Sequence, residues 1–142
     1  MVGVHLAPNG KEGDQVQALR QKTEDWAAHI RRSPLDAESV WLALDRTIMK
    51  GVQYPLAATN ISEADLGYIM APALREALPR ASIVQTFPRT VLYGPVSSQG
   101  FGLTDPYVYQ HCRHVQDLVT QPWRGTEVGH LITANIEASK LE

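Results

Sequence analysis

Phe87 to Asp105 reads FPRTVLYGPVSSQGFGLTD, and the rest of the chain is organised around this stretch. Pro88 and Pro95 lack an amide donor and fix the local backbone. Gly94, Gly100 and Gly102 open conformations closed to other residues. Thr90, Val91, Leu92 and Tyr93 favour extended structure. Phe101 and Leu103 alternate with small residues, which suits a short extended piece. The reading is a tightly shaped, partly buried corner joining two helical halves. It specifies no chemistry by itself.

Upstream of the corner the apolar residues fall at helical spacing. Val16, Leu19, Thr23, Trp26, Ala27 and Ile30 share one face of a helix expected over 14–32. Ser33-Pro34 restarts the chain as cap and first-turn proline. A second helix is expected over 35–52, with Ala37, Val40, Trp41, Leu44 and Ile48 inward and Tyr54-Pro55 as its stop. Ser62 and Asp65 form a capping-box-like start to a third helix carrying Leu66, Ile69, Met70, Ala73, Leu74 and Ala77. Pro72 predicts a kink near Tyr68 or a split, and Leu78-Pro79 the end.

Downstream, Asp105-Pro106 opens a fourth helix to about Thr120, with Val108, Cys112, Val115 and Val119 inward. Thr126 caps a fifth that buries Val128, Leu131, Ile132 and Ile136. At the N-terminus, residues 2–7 alternate as a strand does, and Pro8-Asn9-Gly10 is a turn. A lone strand needs a partner for its ladder groups. That partner is expected either within 83–93 or upstream in a longer protein. The fold class is therefore mainly α: about five helices in one domain, 1–142, with a short N-terminal strand.

Composition narrows the function classes. The chain has 142 residues, 44% of them hydrophobic and 20% charged, as a globular domain does. One cysteine, Cys112, excludes an internal disulfide framework and suits a reducing compartment. No apolar run approaches the roughly 20 residues of a membrane span, so a cytosolic or nuclear setting is expected, with no membrane partner. The net charge of -2 argues against polyanion binding by composition alone. The middle of the chain is locally basic, however. Arg75, Arg80, Arg89, Arg113 and Arg124 stand there against Glu76, Asp105 and Asp117.

Four kinds of site can be weighed. His111 and His114 lie three apart on a helix, but Cys112 points about 100° away and the spacing fits no standard zinc signature. Ser97 and Ser98 lack the Gly-x-Ser-x-Gly setting of an activated nucleophile, and neither nucleotide-binding glycine fingerprint occurs. The acids sit at helix starts or on outer faces, where capping and solvation explain them. No catalytic set, metal or cofactor is expected. Arg75, Arg80, Arg89 and Arg113, near Tyr93, Phe101, Tyr107 and Tyr109 in sequence, could form a phosphate-and-stacking surface; scattered surface arginines over core aromatics are the plainer reading.

Residues 2–10, VGVHLAPNG, resemble the segment that follows the catalytic palm in reverse transcriptases of the non-LTR retrotransposon type. In that family a Leu-Gly-Val-like strand forms the primer grip and a helical thumb follows. The helices with Trp26 and Trp41, and the run Met49-Lys50-Gly51-Val52-Gln53-Tyr54-Pro55-Leu56, are similar to that thumb. Pro88 to Pro95 and Gln99-Gly100-Phe101-Gly102-Leu103 resemble its Gly-Gly-Leu-Gly-like corner, with Gln99 where a first glycine is usual. The family's paired aspartates have no counterpart.

The resemblance implies a thumb-like fragment that holds a primer–template duplex, RNA or DNA, beside a separate palm, with no polymerase activity of its own. It would also explain the lone first strand. The residues it nominates for nucleic-acid contact are His5, as the outward residue of the grip-like strand, with Arg46, Lys50, Arg80 and Arg89. The rival expectation is a helical protein-interaction or scaffold module without a nucleic-acid role. Net acidity favours it, and apolar surface left by an absent palm would then drive self-association.

Overall fold

A computed structural model describes residue 4 and residues 11–141. The expected N-terminal strand and His5 lie outside the described residues. The elements are α1 (Gly13–Arg32), α2 (Ala37–Ala43), a wide π-type turn (Leu44–Ile48), α3 (Met49–Leu56), α4 (Glu63–Arg80), a short α5 (Arg89–Leu92), a 3-10 turn (Val96–Ser98), α6 (Pro106–Thr120), a second 3-10 turn (Gln121–Arg124) and α7 (Glu127–Ser139). The architecture is mainly helical, with no strand among the described residues. The second strand expected within 83–93 does not form. Its Thr90-Val91-Leu92 portion is helical instead, because Pro88 starts a helical turn whose first carbonyl accepts from the Val91 and Leu92 amides.

The core is the seam between α1 and α4, closed by the α2–α3 rod. Leu19 and Ile30 of α1 meet Ile69, Ala73 and Ala77 of α4 in one cluster with Val40, Leu44, Ile48, Val52 and Leu56. The caps follow the sequence signals. The Asp36 carboxylate accepts from the Ser39 amide, and hydrogen bonding by the Ser39 hydroxyl and then by that amide holds its pKa below the ordinary value. Ser62 caps α4 through the Asp65 amide, and Asp105 caps α6 through Tyr107.

The second helical run and the third helix end one residue past Pro55 and Pro79, and the split offered for the third helix at Pro72 does not occur. Pro55 lies inside α3, and α4 runs unbroken through Pro72 and Pro79 to Arg80. A proline inside a helix orphans the carbonyl four residues back. For Pro72 that carbonyl is Tyr68 O, and Arg20 of α1 donates to it while its guanidinium lies 4.2 Å over the Tyr68 ring. For Pro55 it is Gly51 O, and Lys22 Nζ donates to it at 3.2 Å. Thr23 Oγ1, one turn along, donates to Ile69 O at 2.6 Å. Arg20 and Lys22 of α1 thus donate to carbonyls that prolines free, while Ile69 O, four residues before Ala73, is not one of these.

That pairing predicts a coupled effect. Arg20→Met costs about 1–2 kcal/mol in the natural chain, because it leaves Tyr68 O without its donor. In a Pro72→Ala background the backbone amide gained at position 72 meets that carbonyl, and the same substitution costs about half as much. Urea denaturation of the four chains of the cycle measures it.

The Phe87–Asp105 corner is held by its own backbone. Val91 O accepts from Gly94 and Phe101, Leu92 O from Leu103, and Gly94 O from Gly102. Leu92 and Leu103 are buried beneath it. Phe101 packs edge-on against Phe87 at 5.3 Å and tilted against Trp41 of α2 at 5.6 Å. Gln99 has φ +61°, in the left-handed region where glycine is at ease.

The faces of the last two helices are a further correction. Val108, Cys112, Val115 and Val119 of α6 are exposed, not inward. The face that meets the body combines Pro106 and the rings of Tyr107 and Tyr109 with polar side chains. Gln110 is fully buried, its Oε1 accepting from the Ile61 amide at 3.0 Å and its Nε2 donating to Ile61 O at 2.9 Å. His114 Nε2 lies 3.2 Å from Leu56 O. In α7, Val128, Leu131 and Ile136 are exposed and Ile132 is half-buried. That helix packs chiefly on the Gln121–Arg124 turn.

Candidate functional site: an apolar groove and the nominated basic residues

An open groove of about 860 Å³ lies between α4, the corner and α6. Its floor is a strip of α4 on which Glu63, Gly67 and Ala71 reach the surface, edged by the core residues Leu66, Met70 and Leu74. Glu63, Gly67 and Ala71 step by four, and so do Leu66, Met70 and Leu74, so the strip is two adjacent rows along the helix. Gly67 and Ala71 keep their row low: a Cβ at Gly67 would meet nothing within 4 Å. One wall is Arg89, Thr90 and Tyr93 of the corner; the other is Tyr107, Val108 and Cys112 of α6. The groove therefore runs without a break into the exposed apolar stripe of α6.

Charge is confined to a few positions along it: Glu63, Arg89 and Asp105. The Tyr93 hydroxyl is pushed up to about 12, first by burial and then by the Asp105 carboxylate, with Arg89 opposing. The sign follows from linkage. A folded pKa above the ordinary value of 10 means that the contribution is whole below pH 10. It is lost as pH rises from about 10 towards about 12. About 2–3 kcal/mol is at stake for two pKa units. Tyr93→Phe is expected to flatten that alkaline limb, read as the difference between the two chains' urea midpoints at about pH 9 and about pH 11.5.

The structure separates the nominated basic residues. Arg80 is committed to the fold: its guanidinium donates to Ile30 O, to Ser33 O at 2.8 Å and to Leu35 O at 3.2 Å, closing the end of α1. Arg46 is exposed on the π-type turn and pairs with Asp45 at 3.2 Å. Lys50, at the start of α3, reaches Gln53 Oε1 at 3.4 Å. Arg89 lines the groove. Arg46 and Lys50 thus share one helical segment, while Arg80 and Arg89 sit at two other places.

His111 packs on Tyr107 at 4.4 Å and on His114 at 6.2 Å. Among the described residues no three His, Cys, Asp or Glu side chains cluster as a metal site would need. Among those residues, too, no helix is long and apolar enough to cross a membrane.

Sequence reasoning missed the groove. Its signal was the pair Gly67 and Ala71, four apart on the outer side of an otherwise bulky helix. Without the corner's path nothing marked that side as a floor. No protein-family model, curated protein or solved structure matches the chain.

Proposed function

We propose that the chain is a helical protein-interaction module whose groove takes an apolar helix from a protein partner. One observation carries this reading: a trough about 16 Å long, from Glu63 to Leu74 at ~1.5 Å per residue, floored by the small residues Gly67 and Ala71 beside the core residues Leu66, Met70 and Leu74, that continues into an uncovered apolar stripe on α6. Helix-in-groove recognition uses this geometry, with anchors at i, i+3, i+4 and i+7 entering a hydrophobic trough. Three charged groups along the trough would set the register of the bound helix.

The test is selection of displayed amphipathic helices, each about 16 residues long, on the immobilised chain. Binders with helical apolar spacing that lose at least about tenfold in affinity on the Gly67→Trp chain support the reading. Recovery of none, or binders indifferent to that substitution, rejects it. Gly67→Trp is apt because the site has room and the residue is exposed, so the fold tolerates it.

A second reading is that the module holds a primer–template duplex beside a palm domain. The exposed Arg46, Lys50 and Arg89 favour it. Binding to an RNA–DNA hybrid that weakens steeply with salt, and further in the Arg46→Ala, Lys50→Ala chain, would support it; no binding at low salt would reject it.

A further inference from the structure

We propose that the helix taken up by the groove is α7 of a second copy of this chain, exchanged reciprocally. The inference rests on the helix-in-groove reading and names its occupant.

α7 is short and barely anchored to the body. Its 13 residues are too few for a stable free helix in water, yet only Gly129 of α7 is buried. Val128, Leu131 and Ile132 fall within one arc of its surface, at the spacing a trough reads. At about 20 Å the helix matches the floor of α4 in length.

The elbow before it is locked. Gly129 lies against the Gln121 carbonyl so closely that a Cβ would come to 2.3 Å of that oxygen. Gly125 turns the chain at φ +62°, and the Thr126 hydroxyl accepts from the Gly129 amide. Helix, cap and turn are locked into one angle. That angle holds α7 off the groove of its own chain and presents its apolar arc outward.

The uncovered area is large. Val108, Val115, Leu118, Val119, Trp123, Val128, Leu131 and Ile136 are between 39% and 88% exposed. Together they leave on the order of 600 Å² of apolar surface in water, at the top of what monomers carry. With the groove walls added, each copy would bury close to the ~800 Å² per partner of a standard interface. Charge does not drive the pairing, since the charged residues of each surface sum to -1. Both surfaces carry both signs: Glu127, Glu137 and Lys140 on α7 and its cap, and Glu63, Asp105 and Arg89 along the trough.

Light scattering of the full chain from about 5 to about 200 µM tests the proposal. A dimer is expected. Leu131→Asp, which disables the helix, and Gly67→Trp, which blocks the trough, should each raise its dissociation constant at least about tenfold. Both sites are exposed, and circular dichroism checks that each variant keeps its fold. An equimolar mixture of the two variants should regain dimer, because one intact helix then meets one intact trough. A monomer at every concentration, a dimer indifferent to both substitutions, or a mixture that gains nothing overturns the exchange. If displayed helices still bind the groove in that case, the interaction-module reading stands and only the identity of the occupant falls; if they do not, both fall.

Discussion

Gly100→Ala is expected to destabilise the fold by about 3 kcal/mol or more, lowering the thermal midpoint by roughly 10 °C for a domain of this size. A Cβ built on Gly100 would lie 2.1 Å from Gly94 O and 2.6 Å from Gly94 Cα. The obstruction is backbone, so no rotamer change relieves it. Moving Gly94 breaks the bond from the Gly102 amide to Gly94 O, and with it the seating of Leu92 and Leu103. Gly125→Ala is the control. Its φ of +62° imposes a conformational cost, but nothing lies within 4 Å of the new methyl. That cost should be about 1 kcal/mol. Equal effects at the two glycines would show that crowding at the corner is not what selects Gly100.

Gln110→Leu is expected to cost about 3 kcal/mol, although it replaces a polar residue by an apolar one of similar size at a fully buried position. The two bonds to Ile61 satisfy both backbone groups of a residue that is 2% exposed. Removing the amide leaves an N–H and a C=O buried without partners, at about 1–3 kcal/mol each. Hydrogen exchange at the Ile61 amide should rise with the loss of stability measured in urea. A neutral or stabilising effect would mean that the Ile61 segment finds other partners.

These two residues mark what was legible in the sequence and what was not. Gly100 stood out as punctuation, and the corner between helical halves could be read from its glycines and prolines. The caps at Ser62, Asp105 and Thr126 were equally readable, because a side-chain oxygen two or three residues before an amide is a local matter. Gln110 could not be read. Apolar periodicity finds a stripe on α6 but does not say whether that stripe meets the body or the solvent. Here the body offers Ile61 and Leu56 backbone groups, so the inward face includes Gln110 and His114. That Pro55 and Pro72 are accommodated inside helices was illegible for a related reason: the donors that rescue the freed carbonyls come from α1, 29 and 48 residues away. The groove needs α4, the corner and α6 together, and the nominated cations were picked by residue type without knowing that Arg80 closes α1.

The seam between α1 and α4 also orders events during synthesis. All of its members, and the rod that closes it, lie before residue 81, so they leave the ribosome first. A nascent chain can bury Leu19, Ile30, Ile69 and Ala73 against one another while the corner is still in the exit tunnel. The later segments then condense onto a finished platform, and the slow step of loop closure falls to the α1–α4 meeting.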